Sequence, residues 1–188
     1  MSKRLLILAI TAIAALPAMA ALEAGDVAPK FEARASLAGE EFDYSLASAL
    51  EEGPVVVYFF PSAYTRGCNI QAHEFAVSMD KFKAAGASVI GVSLNSIETL
   101  NEFSADPEYC AGELAVASDS GGEIAASFDL NVRAARDGAK DTRVVAISHG
   151  TAERTTFIVT PDGNVAETIG GVSPFENVAK SLEAVQNL

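Results

Sequence analysis

The chain has 188 residues, with 13 Lys and Arg against 25 Asp and Glu and a formal net charge of −12. That balance leaves few cations with which to neutralise phosphates, and so excludes nucleic acid and anionic membrane surfaces as expected partners. Its only two cysteines, Cys68 and Cys110, would by count alone make one structural disulfide in an oxidising compartment.

Residues 1–20 read as an export signal. Lys3 and Arg4 form a short basic start, and Leu5 to Leu16 is an apolar run broken only by Thr11. After Pro17, Ala18-Met19-Ala20 supplies the small-x-small pattern that signal peptidase reads. The run is shorter than the roughly 20 residues a spanning helix needs, so no stable membrane insertion is expected after cleavage. The expected mature domain is residues 21–188, exported to the periplasm, or secreted where there is no outer membrane. Loss of Lys3 and Arg4 deepens its net charge to −14.

No repeat, linker or low-complexity tract interrupts the mature segment, which fits one domain with one core. Val55 to Phe60 is apolar throughout, as a central strand covered on both faces should be. A helix follows over about 66 to 85. Ile70, Phe75, Val77, Met79 and Phe82 supply its apolar stripe, and Gln71, Glu74, Asp80 and Lys81 its polar side. Further strands are expected at Val89 to Leu94, Leu114 to Ala117, Thr155 to Thr160 and Asn164 to Ile169, with Pro161-Asp162-Gly163 turning between the last two. Helices are expected at Ser96 to Phe103, Glu123 to Phe128 and Pro174 to Val185. Ser173, Pro174 and Glu176 form a capping box at the start of the last. The alternation implies an α/β sandwich with a mixed central sheet flanked by helices. A thioredoxin-like fold is one of several small α/β folds that meet this description.

Chemistry concentrates in Pro61-Ser-Ala-Tyr-Thr65-Arg-Gly-Cys68, where the buried strand runs through a short loop into the first turn of the helix. With Thr65 as N-cap, its hydroxyl is expected to accept from the Cys68 N–H. The sulfur then lies beside unsatisfied N–H groups and the positive end of the helix dipole, which favour a thiolate. Pro61, with no N–H of its own, closes the strand end. Thiolate formation does not suffice for catalysis, because a substrate must also be held and its developing charge met by convergent donors.

Pro61-x-x-x-Thr65-x-x-Cys68 resembles the active-site signature of the peroxiredoxins. Cys68-Asn-Ile-Gln71-Ala72 and Glu153-Arg154-Thr-Thr-Phe157 are similar to the bacterioferritin-comigratory, or Q-type, branch. The likeness runs from Gly25-Asp-Val-Ala-Pro-Lys-Phe31 to the final helix. It implies a thioredoxin-like fold and a peroxidase acting on hydrogen peroxide and organic hydroperoxides, recycled by a thioredoxin-like or other dithiol reductant. No cofactor and no metal are implied, and the state implied is a monomer or weak homodimer. By the same resemblance Cys68 is the peroxidatic cysteine, Thr65 contacts thiolate and peroxide, Arg154 is the buried guanidinium that polarises them, and Pro61 shields them. The plainer reading of Arg154 is a surface cation paired with Glu153, and Arg66 is expected to face solvent.

One departure matters. Many members of the branch carry a second cysteine five residues after the first, where this chain has His73. Cys110 remains, in a region where some relatives place a resolving cysteine, and the resemblance implies an intramolecular disulfide with Cys68. His73 and His149 read as a helical and a loop residue, and no zinc-binding spacing is present. Two other functions stay open. A thiol–disulfide oxidoreductase ordinarily needs Cys-x-x-Cys, and residue 71 is Gln. A non-catalytic domain would carry a structural 68–110 disulfide.

Overall fold

A computed structural model describes residues 21–188; the expected export signal, residues 1–20, lies outside the described residues. In chain order the elements are β1 (Glu32–Leu37), β2 (Glu40–Ser45), α1 (Leu46–Glu52), β3 (Val55–Phe59), α2 (Arg66–Ala84), β4 (Ser88–Ser93) and α3 (Ile97–Ala105). They continue with β5 (Ala115–Ser118), α4 (Glu123–Ser127), β6 (Val132–Arg133), β7 (Thr151–Ala152), β8 (Thr155–Val159), β9 (Val165–Gly170) and α5 (Pro174–Gln186). Seven strands form one sheet in the order β2-β1-β5-β4-β3-β8-β9, and β6 and β7 pair separately. The central strands β3, β4 and β5 run parallel, whereas β1, β2, β8 and β9 join antiparallel to their neighbours. The sheet is therefore mixed, as the strand–helix alternation implies.

Side chains alternate across β3 and both faces are covered. Val56, Tyr58 and Phe60 face a core shared with Phe75 and Phe82 of α2, Leu100 and Phe103 of α3, and Val178 of α5. Val55, Val57 and Phe59 face a second core with Leu46 and Leu50 of α1 and Phe128 after α4. Helix starts follow local chemistry. Ser96 and Ser173 accept from the N–H groups of Thr99 and Glu176, and Asp119 accepts from Ile124 and Ala125 to open α4.

Residues 31–52, for which periodicity gives no assignment, form the β1–β2 hairpin and α1. The hairpin turns on Ala38 and Gly39, both at positive φ (53° and 85°). This is the two-residue geometry that Asn-Gly or Asp-Gly usually announces. On α2 the expected polar side is partly wrong. Gln71 is fully buried and Val77 is 60 % exposed, because α5 covers a flank of α2 that a single stripe facing the sheet leaves open.

Gly91 in β4 makes room for Tyr58. An added Cβ would stand 2.6 Å from both Cζ and Oη of the buried phenol. Gly91→Ala should cost about 1–3 kcal/mol by overpacking, or roughly 3–10 °C in Tm. Thermal unfolding checks this, and an unchanged Tm would place the Tyr58 ring elsewhere.

Candidate active site

The parallel strands end on the side where β3 hands the chain to residues 60–65. Four tethers hold that loop. Phe60 N donates to Val92 O at 3.1 Å, Ala63 N to Asn95 Oδ1 at 2.8 Å, and the Thr65 hydroxyl to Ser62 O at 2.8 Å. From across the molecule, Thr142 donates to Tyr64 O through both its N–H (2.8 Å) and its hydroxyl (2.7 Å). Tyr64 itself sits at φ 57°, a left-handed conformation that costs an ordinary residue energy and persists only where neighbours impose it.

Thr65 is the N-cap of α2, but its hydroxyl does not cap the helix. The expected bond from Cys68 N–H is replaced by the bond to Ser62 O, which spends the hydroxyl proton on the loop and leaves its lone pairs free. Asn69 N makes the first helical bond, to Thr65 O. The N–H groups of Arg66, Gly67 and Cys68 therefore lie ahead of the intrahelical ladder, in the turn that carries Cys68.

Arg154 reaches this point through sheet register. β8 runs antiparallel to β3 with Thr155 opposite Phe59, so the residue before β8 falls at the β3 exit. Its NH2 nitrogen donates to Cys68 Sγ at 3.3 Å, and its NH1 nitrogen donates to Gln71 Oε1. The guanidinium is half-buried rather than fully enclosed, and it engages these partners in place of Glu153. Gly67 permits the approach, since a Cβ there would lie 3.1 Å from Arg154 NH2. Pro61 and Arg154 together line a cleft of about 290 Å³ with Arg133, Thr151, Ala152 and Glu153. A second cavity, about 230 Å³ between Ser62, Asn95, Arg143 and His149, lies behind the loop, and neither space is lined by Cys68 or Thr65.

Residues 24–168 match the model of the AhpC/TSA family. The chain belongs to that family. Over 82 residues it is 39 % identical to the peroxiredoxin Bcp of Escherichia coli K12, a stretch covering 44 % of this chain and 50 % of that protein. Over 50 residues it is 52 % identical to the chloroplastic peroxiredoxin Q of Sedum lineare, 27 % of each. The chain thus spans about half the length, or less, of these curated relatives. Peroxidoxin BcpB from Mycobacterium tuberculosis superposes with a TM-score of 0.73 at 25 % identity, covering 89 % of this chain and 98 % of that one. The fold is thioredoxin-like, and the relatives are of the Bcp and Q types.

Within this AhpC/TSA chain Cys68 is 2 % exposed and Cys110 fully buried, both as free thiols in one core. Cys110 follows α3 in a segment packed against the start of α2. Tyr109 lies edge-on to Tyr64 at 5.8 Å, and Glu108 O lies 3.2 Å from the exposed His73 ring. Arg66 is exposed. His149 is drawn to the loop, its Nε2 3.4 Å from Ser62 Oγ.

Two groups of supporting residues are given no role by the sequence. One is a strap. Arg143 stacks 3.3 Å above the Tyr64 ring and is held there by Glu102 and Asp141. The other is Gln71 with Asn177 and Thr156, polar side chains buried behind Arg154.

Burial first, and Asp106 second, push the Cys110 thiol far above its ordinary range. A chain opened around Cys110 releases that proton near pH 8.5 and the folded chain does not. Above that pH the native state binds more protons, so its stability falls as pH rises, by up to about 1.4 kcal/mol per pH unit. Burial raises Tyr44 and Tyr58 as well, but they contribute only above about pH 10. The Tm of the reduced protein should therefore fall more steeply between pH 8 and 10 in the wild type than in Cys110→Ala. Equal slopes would show that the thiol titrates freely.

Proposed function

We propose that this protein is a thiol peroxidase in which Cys68 reduces hydrogen peroxide and organic hydroperoxides. The observation that carries the reading is the Arg154 donor 3.3 Å from Cys68 Sγ, in the first turn of a helix. The Cys68 thiolate attacks one peroxide oxygen and the O–O bond breaks. The sulfur, oxidised by two electrons, becomes a sulfenic acid, and the alkoxide or hydroxide leaves and takes up a proton. Arg154 and the free N–H groups of Gly67 and Cys68 are donors suited to the charge that develops on both oxygens. Thr65, its proton committed to Ser62 O, accepts from the peroxide O–H and aims the attack. Pro61 contributes apolar surface without a competing N–H.

Cys110 then attacks the sulfenic acid, releases water and forms the 68–110 disulfide, which a thioredoxin-like or other dithiol reductant reopens. Both thiols are buried in the folded chain, and a buried, protonated Cys110 is a poor nucleophile. Resolution therefore proceeds through local unfolding of the first turn of α2 and of residues 105–112. Asp106-Pro107 and Gly112 flank that segment. A thiol–disulfide oxidoreductase is disfavoured by Gln71, which fills the place of a second active-site cysteine and lies buried behind Arg154. The exposed large apolar side chains are dispersed over several elements, which supports a monomer or weak homodimer. Export rests on the basic, apolar and Ala-Met-Ala segments of residues 1–20. Intact mass of exported protein should show Ala21 as the first residue, and retention of Met1 would overturn that part.

Arg154→Met should slow peroxide reduction about 10²–10³-fold, as loss of a charge-stabilising donor does elsewhere. Arg154→Lys should recover little, because one ammonium cannot span two acceptors as a planar fork does. Near wild-type kinetics in either variant would reduce Arg154 to surface charge. Cys110→Ser should consume one equivalent of peroxide, stall as the sulfenic acid and overoxidise more readily. Normal turnover of Cys110→Ser with a dithiol, together with no 68–110 linkage on peptide mapping, would contradict the two-cysteine cycle.

A further inference from the structure

Helix α5 carries Asn177 on the side it buries, at 1 % exposure, beside Val178, Ser181, Ala184 and Val185. A primary amide at such a position is costly unless all its groups find partners, and here they do. Asn177 Nδ2 donates to the backbone oxygen of Ile169 at 3.1 Å. Its Oδ1 accepts from Gln71 Nε2 at 2.8 Å and from the Thr156 hydroxyl at 2.7 Å. Gln71 in turn presents Oε1 to Arg154, whose other terminal nitrogen donates to Cys68 Sγ.

The polarity of this chain of bonds is fixed at both ends. A peptide carbonyl only accepts, so Ile169 O requires the NH2 side of Asn177 and turns Oδ1 toward Gln71. An acceptor at that point requires the NH2 side of Gln71 and leaves Oε1 for Arg154, which only donates. Amide orientations are ordinarily ambiguous because oxygen and nitrogen can be exchanged. Here exchanging either one sets donor against donor or acceptor against acceptor. We propose that Asn177 is a positioning residue for the peroxidase reaction: by fixing the Gln71 amide it holds Arg154 on the Cys68 sulfur. The proposal rests on the peroxidase reading for its consequence and on the hydrogen-bond chain for its geometry. Without Asn177 the Gln71 amide is free to turn its NH2 toward the guanidinium. Arg154, half-buried beside an open cleft, then leaves the sulfur.

The test uses Asn177→Leu in the full chain, with two readouts. One is the rate at which reduced protein consumes hydrogen peroxide in a single turnover. The other is the pH profile of Cys68 alkylation by iodoacetamide, followed by peptide mass so that Cys110 is counted separately. Asn177→Leu should lower the peroxide rate on the order of 10- to 100-fold, as small misplacements of catalytic groups do, and move the alkylation profile to higher pH. Adding Gln71→Glu should restore most of both, because a carboxylate offers an oxygen to Arg154 whichever way it turns. Ser181→Ala removes only a hydroxyl bonded to Asn177 O and should leave both readouts unchanged. If Asn177→Leu does not fold, Asn177→Ala serves, since it likewise removes the acceptor that fixes the Gln71 amide, and it should slow the peroxide rate and move the alkylation profile to higher pH. Wild-type values in either variant, or a slow Asn177→Leu that Gln71→Glu does not rescue, would overturn the proposal. A wild type no faster with peroxide than free cysteine would sink the peroxidase reading instead, while the alkylation arm still decides the role of Asn177.

Discussion

One guanidinium organises the site: Arg154 donates from one nitrogen to Cys68 Sγ and from another to Gln71. Three separate features of the fold must hold for it to do so. The antiparallel register of β8 on β3 sets its Cα at the β3 exit. Gly67 opens the surface of α2 to it. The helix begins at Arg66, so Cys68 lies in the first turn, where the helix dipole and the cation favour negative charge on one sulfur. In a chain of net charge −12, a cation inserted between two buried polar side chains is set there by the fold and not by bulk electrostatics.

The loop carrying Thr65 is held under tension and then buttressed. Tyr64 adopts a left-handed backbone, and two bonds from Thr142 and the stacked Arg143 keep it there. The same Tyr64 ring packs on Phe103 and Tyr109, so the support for the Cys68 loop is continuous with the segment that buries Cys110. A rigid pocket suits attack on a small peroxide, and an open one suits disulfide formation. In the proposed two-cysteine cycle, sharing one aromatic cluster would couple the two demands, because loosening Tyr109 to free Cys110 would also loosen Tyr64.

Much of this is legible from the chain. The uninterrupted apolar run at Val55 marks the central strand, the serines at 96 and 173 mark helix starts, and Pro61-x-x-x-Thr65-x-x-Cys68 marks the loop that leads into α2 and carries Cys68. What escapes has physical reasons. A Thr65 hydroxyl three residues from both Ser62 O and Cys68 N–H can bond either way, and spacing does not choose between them. Gln71 reads as a polar position because the stripe rule assumes one covered face, whereas α2 is covered by both the sheet and α5. The hairpin at Ala38-Gly39 lacks the usual turn residues, and the strap around Arg143 has no period to detect. Arg154 could be singled out only by resemblance, since its placement is a matter of register between strands about a hundred residues apart in sequence.

The central claim is that Cys68 is a peroxide-reactive thiolate. Its most direct test is stoichiometric loss of hydrogen peroxide on mixing with reduced protein, with thiols counted before and after. The expected result is one equivalent consumed in a single turnover, at a rate orders of magnitude above free cysteine, with Cys68 oxidised. A rate no greater than that of free cysteine, or loss of peroxide with Cys68 still reduced, would contradict the account.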